Sequence, residues 1–185
     1  MNQPHKAVFL DRDGVINRAL VREGKPYPPS TIHELEILPG VDEALSSLKK
    51  EGFLLIVVTN QPDVARGKTK REFVDAINYK LASSLPIDEF CTCFHDDSDN
   101  CDCRKPKAGS LLSAATRHDI CLTSSFMVGD RWRDMEAGYG AGCRTIFIDY
   151  GYEEKQPDRF DFKVSSLFEA ARIILKTPEK FDEKD

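Results

Sequence analysis

The stretch that most constrains the fold of this chain is residues 7–17, which read AVFLDRDGVIN. Four apolar or small residues lead directly into Asp11, Arg12, Asp13 and Gly14. A short, continuous apolar run that ends at turn residues is typical of a buried strand in a parallel sheet. Because open α/β sheets bind ligands at the carboxyl ends of their strands, we expect the two aspartates at a ligand-binding edge.

Two aspartates separated by one residue have two interpretations at a strand end. One carboxylate can act as a nucleophile through an aspartyl-phosphate, while the other holds and donates a proton. Together they can also hold Mg²⁺, which prefers oxygen ligands. The alternative is that Asp11 and Asp13 are solvated turn residues, and a D-x-D motif alone does not separate the two interpretations.

Apolar runs and helical spacings alternate along the rest of the chain. Further strands are predicted over 53–58, 90–94, 126–128 and 145–148. Helices are predicted from Val41 to Gly52, from a Thr69–Glu72 capping box to Ser83, over 107–117 and 133–139, and from Ser166 to Lys176. This alternation predicts an α/β fold with a doubly wound, mostly parallel sheet between helices and no large cap domain. We expect one domain over residues 1–176 and a charged tail over 177–185.

Charge and composition argue against several classes of partner. A net charge of −5 over 185 residues disfavours a broad basic face for nucleic acid or an anionic membrane. No apolar run approaches the roughly 20 residues of a membrane helix, and the N-terminus has no signal-peptide core. We therefore expect a cytoplasmic protein that acts on a small molecule, and we expect a monomer because no exposed apolar stripe stands out in the sequence. Its six cysteines would then be mostly reduced, and a cysteine cluster would indicate metal or redox chemistry.

Polar side chains end three of the predicted strands, and a lysine precedes a predicted helix. These residues are Asp11, Asp13, Thr59, Asn60, Asp130, Asp134 and Lys105. In a parallel sheet the carboxyl ends of the strands share one edge, so the set is expected to meet in one crevice. Acids, a hydroxyl, an amide and a lysine in one place suit phosphoryl transfer, where positioning and electrostatic stabilisation supply most of the catalysis.

A second cluster lies in the segment after the third predicted strand. Cys93-x-His95 and Cys101-x-Cys103 fall within eleven residues. Three thiolates and one imidazole form a tetrahedral zinc site of a common kind, and disulfides or chance clustering are the alternatives. Cys91 can compete with Cys93, because alternate residues of a strand face the same side. A closed, structural zinc loop over 91–103 would fix the segment that delivers Arg104 and Lys105.

The ordered motifs resemble those of the haloacid dehalogenase (HAD) superfamily of phosphohydrolases. The four motifs are Asp11-Arg12-Asp13-Gly14, Thr59-Asn60-Gln61, Lys105, and Gly129-Asp130-Arg131-x-x-Asp134. The resemblance implies a nucleophilic Asp11 and an acid/base Asp13. It also implies Mg²⁺ held by Asp11, the main-chain carbonyl of Asp13 and Asp130, with Asp134 behind it or bound through water.

The cysteine loop followed by Cys-Arg-Lys-Pro is similar to one branch of that superfamily. This branch contains the D-glycero-D-manno-heptose 1,7-bisphosphate phosphatases and the related histidinol-phosphate phosphatases. The resemblance favours Cys93 over Cys91 as a zinc ligand and implies substrate contacts from Asn60, Arg104 and Arg131. It predicts removal of the 7-phosphate from a sugar bisphosphate. Histidinol-phosphate phosphatase, a distant polynucleotide 3′-phosphatase and a non-catalytic zinc-stabilised binding module are the alternatives.

Some parts of the sequence differ from the motifs of that branch or have no counterpart in them. Pro62-Asp63-Val64 replaces the Ser-Gly-Ile that commonly follows the second motif, which leaves specificity open. Residues 21–37 are predicted to be a long polar loop that shapes the pocket, with Arg22 and Tyr27 as candidates. Cys121 and Cys143 are expected to be buried apolar residues. His5, His33 and His118 are expected to lie at the surface.

Overall fold

A computed structural model describes residues 4–178, and the predicted tail beyond residue 178 lies outside the described residues. The main sheet has six strands: β1 (Lys6–Leu10), β4 (Phe53–Asn60), β5 (Glu89–Cys93), β6 (Phe126–Gly129), β7 (Arg144–Ile148) and β8 (Phe162–Val164). Their order is β5-β4-β1-β6-β7-β8, and every neighbouring pair is parallel. The parallel α/β prediction is confirmed.

Five helices cover the two faces of this sheet. They are α1 (Val41–Lys50), α2 (Arg71–Ser84), α3 (Gly109–His118), α4 (Trp132–Ala141) and α5 (Leu167–Lys176). Alternate residues of β1 enter two different apolar cores, since Val8 and Leu10 pack with α1, α2 and α5, while Ala7 and Phe9 pack with α3 and α4. The period of two along a strand thus produces the doubly wound arrangement. Between residues 4 and 178 there is no large cap domain.

The predicted loop over 21–37 contains more structure than the sequence indicated. A two-stranded antiparallel hairpin forms from β2 (Leu20–Arg22) and β3 (Lys25–Tyr27), and a short 3₁₀ helix follows at Ile32–Glu34. The description of this segment as a loop was therefore wrong in part. Its backbone also bonds to the chain after β7, because the N–H of Glu153 donates to the carbonyl of Gly24 at 2.8 Å.

The predicted helix starts are confirmed at α5 and wrong at α2. At α5 the Ser166 hydroxyl accepts a bond from the main-chain N–H of Glu169, as a capping residue does. At α2 the residue before the helix is Lys70, with no side-chain cap. Thr69 belongs to the preceding turn, where its N–H donates to the carbonyl of Asp63 at 3.1 Å, and the helix begins one residue too late for Thr69 to be its cap.

Two further 3₁₀ helices lie at Asp97–Asp99 and Leu122–Ser124. In the described part of the chain, no helix has the length and apolar character needed to cross a membrane.

Candidate active site and thiol metal centre

The strand-end acids and the lysine meet at the carboxyl edge of the sheet, as the sequence predicted. Asp11 follows β1 and Asp130 follows the neighbouring strand β6, while Asp134 lies in the first turn of α4. The Lys105 ammonium donates to Asp11 Oδ1 at 2.8 Å and lies 2.6 Å from Asp134 Oδ1. Lys105 is therefore shared between two carboxylates in a buried site.

Burial and mutual repulsion set the protonation behaviour of this cluster. Burial raises the pKa of Asp11 to about 6, and the nearby Lys105 charge opposes that rise. Burial, followed by the charges of Asp11 and Asp134, raises the pKa of Asp130 well above its usual range. Burial disfavours the charge on Lys105, but Asp11 and Asp134 outweigh it and raise its pKa. With three acids around one lysine, Asp11 and Asp130 therefore hold protons more readily than carboxyl groups in water do.

The carboxylates fit a hard divalent cation. Oxygens of Asp11, Asp130 and Asp134 lie within 4.8 Å of one another. Both carboxylate oxygens of Asp130 are buried and make no hydrogen bond of good geometry among the described residues, although the Tyr152 hydroxyl is close enough to lower the pKa of Asp130. A Cβ on Gly14, whose φ is +94°, would lie 1.9 Å from Asp130 Oδ2. Gly14 therefore lets the backbone approach a carboxylate that is free to bind a metal.

Asp13 also lines the cleft, but its side chain is engaged by donors from the protein. Arg12 donates from Nη2 to Asp13 Oδ2 at 2.9 Å. Asn17 Nδ2 donates to Oδ1 at 2.9 Å, and Gln61 Nε2 donates to Oδ2 at 2.8 Å. The two aspartates of the motif thus have different surroundings. Asp11 lies beside other acids and Lys105, whereas Asp13 is surrounded by neutral and cationic donors.

The end of β4 positions Lys105. Asn60 Nδ2 donates to the carbonyl of Lys105 at 2.9 Å, and the N–H of Lys105 donates to Asn60 Oδ1 at 3.1 Å. Thr59 is buried beside them, and its hydroxyl accepts a bond from Gln61 Nε2 at 2.9 Å. Asn60 therefore lines the cleft and also fixes the main chain that carries the lysine.

Arginines line a cleft of about 330 Å³ beside the acids. Arg131 donates from Nε to Glu154 at 2.7 Å, and a second bond from its Nη2 completes a bidentate pair. Arg104 donates from Nε to Asp97 at 2.8 Å, whereas its buried Nη1 has no partner among the described residues. Each arginine is thus held by a carboxylate, and Arg104 keeps one polar atom free.

The four predicted zinc ligands converge. Cys103 Sγ lies 3.2 Å from Cys93 Sγ and 3.4 Å from Cys101 Sγ, and Cys93 and Cys101 are 3.8 Å apart. His95 Nδ1 lies 3.3 Å from Cys103 Sγ and 3.6 Å from Cys93 Sγ. None of the six cysteines forms a disulfide. These atoms lie within 4.8 Å of one another and can hold a metal ion.

Cys91 lies outside that cluster. Its Sγ accepts a bond from Arg117 Nη2 at 3.4 Å, and burial raises its pKa to about 11. Arg117 and His118 both bond to Glu89, so His118 has a partner that the sequence did not indicate. Cys121 is only half-buried, in contrast to the buried position predicted for it, whereas Cys143 is buried as predicted.

The sequence did not indicate Arg12, Asn17 and Gln61 as donors to Asp13, or Asn78 as an acceptor from Arg12. Arg12, Asn17, Gln61 and Asn78 are all buried polar residues. Three of them lie inside or next to the recognised motifs, but nothing in their spacing indicates that they bond to Asp13. Tyr27 lines the acid cleft, whereas Arg22 lines an adjoining pocket.

Comparisons with known proteins agree with this site. A family model described as HAD-hydrolase-like matches residues 102–170. The D-glycero-β-D-manno-heptose-1,7-bisphosphate 7-phosphatase of Escherichia coli K12 is 40% identical, covering 92% of this chain and 94% of the relative. The enzyme of the same name from Helicobacter pylori J99 is 39% identical over 78% of this chain and 83% of the relative. The chain belongs to the HAD superfamily, among the heptose-bisphosphate phosphatases.

A solved structure of this family shares the fold. It is the D,D-heptose 1,7-bisphosphate phosphatase from B. bronchiseptica, complexed with magnesium and phosphate. It superposes with a TM-score of 0.75 at 28% identity and covers 92% of this chain and 98% of its own. The predicted HAD membership and phosphatase class are thus confirmed. The alternatives of a histidinol-phosphate phosphatase or a non-catalytic module are not favoured.

Proposed function

We propose that this chain is a Mg²⁺-dependent phosphatase that removes the 7-phosphate from D-glycero-D-manno-heptose 1,7-bisphosphate. The observation that carries the proposal is the buried set of Asp11, Lys105, Asp130 and Asp134 beside a cleft lined with arginines. The names of the 39–40% identical relatives support the substrate. A second phosphate on the substrate gives arginines beyond the acids a physical purpose, because guanidinium binds phosphate in a bidentate manner.

In the first step Asp11 is the nucleophile. An Asp11 carboxylate oxygen forms a bond to phosphorus, the bond from phosphorus to the ester oxygen breaks, and its electron pair stays on that oxygen. The leaving oxygen takes a proton from Asp13, which lines the same cleft. Thr59 and Lys105 are proposed to bond the oxygens of the transferring group, where negative charge concentrates.

In the second step a water molecule releases phosphate from Asp11. Asp13, which lost its proton in the first step, accepts one from the water as the water oxygen attacks phosphorus. The bond between Asp11 and phosphorus breaks and the carboxylate is restored, so the proton count is balanced over the cycle.

The proposal includes two metal sites, one for Mg²⁺ at the acids and one for zinc at the thiol cluster. Bound at Asp11, Asp130 and the Asp13 carbonyl, with Asp134 beside them, Mg²⁺ would offset repulsion between the carboxylates and an incoming phosphate. For the thiol cluster we propose zinc, because distances of 3.2–3.8 Å between ligand atoms suit a tetrahedron with Zn–S bonds of about 2.3 Å. With four protein ligands this zinc would be structural.

Substrate contacts are proposed for three residues of the cleft. Arg104 offers its unpartnered Nη1, and Arg131 is oriented by Glu154. One amide N–H and the side-chain oxygen of Asn60 bond to the main chain of Lys105, so the second amide N–H can donate to the substrate. The monomeric state and the cytoplasmic location remain predictions from the sequence.

A phosphate-release assay with and without Mg²⁺ tests the proposal. Heptose 1,7-bisphosphate would be compared with histidinol phosphate, hexose bisphosphates and a 3′-phosphorylated oligonucleotide by kcat/KM. We expect a preference for the heptose of about 100-fold, or roughly 2.7 kcal/mol of transition-state binding. Equal turnover of all substrates would contradict the substrate assignment, and full activity of Asp11→Asn would contradict the mechanism.

A further inference from the structure

The residue between the two motif aspartates is a fully buried arginine. Arg12 has no exposed surface, although a charged residue after a strand is ordinarily in water. Its Nη2 donates to Asp13 Oδ2 at 2.9 Å and to Oδ1 at 3.2 Å, and its Nε donates to Oδ1 at 3.3 Å. Within residues 4–178 its ion pair is with Asp13. The permanent charge of this guanidinium is thus directed at one carboxylate.

The other side of Arg12 is tied to the scaffold. Its Nη1 donates to Asn78 Oδ1 on α2 at 3.0 Å, and Asn78 Nδ2 donates to Thr92 Oγ1 on β5 at 3.1 Å. Asn78 is itself a buried polar residue in an otherwise apolar face of α2. A chain of hydrogen bonds therefore runs from the carboxylate of Asp13 through Arg12 to two elements that contribute no reacting group.

The donors around Asp13 hold its carboxylate group in a single orientation. Oδ1 accepts bonds from Arg12 and Asn17, and Oδ2 accepts bonds from Arg12 and Gln61. Gln61 Nε2 also donates to Thr59 Oγ1 at 2.9 Å, so its two N–H groups serve two acceptors at once and hold both side chains. The side chain of Asp13 keeps 15% exposure toward the cleft, whereas Arg12 lies wholly behind it.

We propose that Arg12 is a positioning residue that fixes the carboxyl group of Asp13 for proton donation, and that Asn78 orients Arg12. The inference rests on the proposed function, in which Asp13 protonates the leaving oxygen. A buried arginine costs free energy unless its charge and donors are paired, so this site is built around the ion pair. When Arg12 or Asn78 is altered, Asp13 can turn away from the leaving group while Asp11 and Lys105 stay in place.

The test uses leaving groups that differ in their need for a proton. An alkyl phosphate, such as the heptose bisphosphate, needs protonation of the departing oxygen, whereas 2,4-dinitrophenyl phosphate releases a stable anion. Because kcat/KM reports events through departure of the leaving group, it isolates the proton donation. We expect Arg12→Met and Asn78→Leu to lower kcat/KM for the alkyl phosphate by about 100-fold, near the lower end of general-acid effects. The aryl substrate should change by less than about threefold.

Three controls separate positioning from folding. Thermal melting of each variant shows whether it is folded, and Asn78→Leu keeps the test open if Arg12→Met does not fold. Asn78→Asp keeps an acceptor for Arg12 and should restore the alkyl-to-aryl ratio. Lys105→Met should depress both substrates together, because it acts on the transferring phosphoryl group.

Two results would overturn the inference: equal losses on both substrates, or no loss on either, in folded variants. Failure of the proposed function is distinguishable. A wild-type chain that prefers another alkyl phosphate overturns only the substrate assignment, and the ratio is then measured on that substrate. A wild-type chain that hydrolyses no phosphomonoester overturns both.

Discussion

At the scale of single residues, the conformation of Gly14 decides whether the acidic site can form. Its φ of +94° is unfavourable for any side chain, and a Cβ there would overlap the Asp130 carboxylate at 1.9 Å. We expect Gly14→Ala to displace Asp130 and to raise the Mg²⁺ concentration needed for half-maximal activity by at least about tenfold, in line with the loss of one ligand's geometry. A magnesium titration of phosphate release measures this.

Gly52→Ala is the matched control for that substitution. Gly52 also has a positive φ, +80°, but no atom beyond its own chain neighbours lies within 4 Å of the position of its Cβ. The Gly52→Ala variant should be less stable by about 1 kcal/mol, because alanine disfavours a positive φ, and its magnesium requirement should be unchanged. If both variants shift the magnesium requirement equally, close packing against Asp130 is not what Gly14 provides.

The sequence was sufficient for the residues of the site that end strands. Asp11 and Asp130 could be placed together because both follow apolar runs of a parallel sheet. Arg12 could not, because its burial depends on Asn78, which is 66 positions away in the chain. Charged residues in turns are ordinarily exposed, so only the tertiary structure shows that this one is enclosed.

At the scale of elements, the thiol loop holds the segment that carries Lys105. Ser110 Oγ at the start of α3 donates to the carbonyl of Cys103 at 2.9 Å, so the loop is fixed to the helix on one side. The proposed metal ion would fix its other side. We expect Cys101→Ser to lower bound zinc well below one per chain and to reduce kcat at least about tenfold, since outer partners of a site commonly have effects of that size. Elemental analysis and the phosphate-release assay measure the two effects.

Cys91→Ser is the control for the loop. Cys91 lies near Arg117 rather than in the four-residue cluster, so this variant should keep its metal and its activity. Loss of zinc from Cys91→Ser, with retention in Cys93→Ser, would show that the alternative ligand set considered from the sequence is the one in use.

Elements with long apolar runs were predictable, and short or proline-containing ones were not. β1, β4 and β6 are buried and continuous, which identifies them without tertiary information. β3 contains Pro26, and prolines follow it, so its sequence predicts a loop rather than a strand paired with β2. β8 has three residues and depends on β7 for its pairing. Its extended structure comes from the sheet edge rather than from its own sequence.

At the scale of the whole molecule, the parallel sheet forces like charges together, which costs stability. β1 and β6 are adjacent, so their carboxyl ends bring Asp11 and Asp130 into one buried site. A carboxyl group whose pKa is higher in the folded than in the unfolded state stabilises the folded protein, and this contribution is complete at pH values below the unfolded pKa. That stability is lost as the pH rises through the folded pKa, which is about 6 for Asp11. Without Mg²⁺ the protein should therefore be more stable at pH 5 than at pH 7.5.

The size of that difference is set by the shift at Asp11, with Asp130 acting in the same direction. Asp11 alone contributes about 1 kcal/mol between these pH values. This corresponds to a Tm roughly 2–4 °C higher at pH 5 for a chain of this length. Carboxyl groups with a lowered pKa, such as Asp96 at about 2, act in the opposite direction, but only weakly, because unfolded carboxyl groups are already mostly ionised at pH 5. Melting curves in magnesium-free buffer without chelator measure the difference, and the zinc content is compared at the two pH values because thiolate and imidazole ligands bind zinc less tightly at lower pH.

Added Mg²⁺ should reverse this dependence, because the cation binds the ionised carboxylates and competes with protons for them. The rise in Tm on adding Mg²⁺ is thus expected to be larger at pH 7.5 than at pH 5. In Asp130→Asn the magnesium-free Tm should depend less on pH, since one of the repelling charges is gone, and the response to Mg²⁺ should shrink. A wild-type Tm that is higher at pH 7.5 without Mg²⁺ would show that Lys105 already neutralises the cluster.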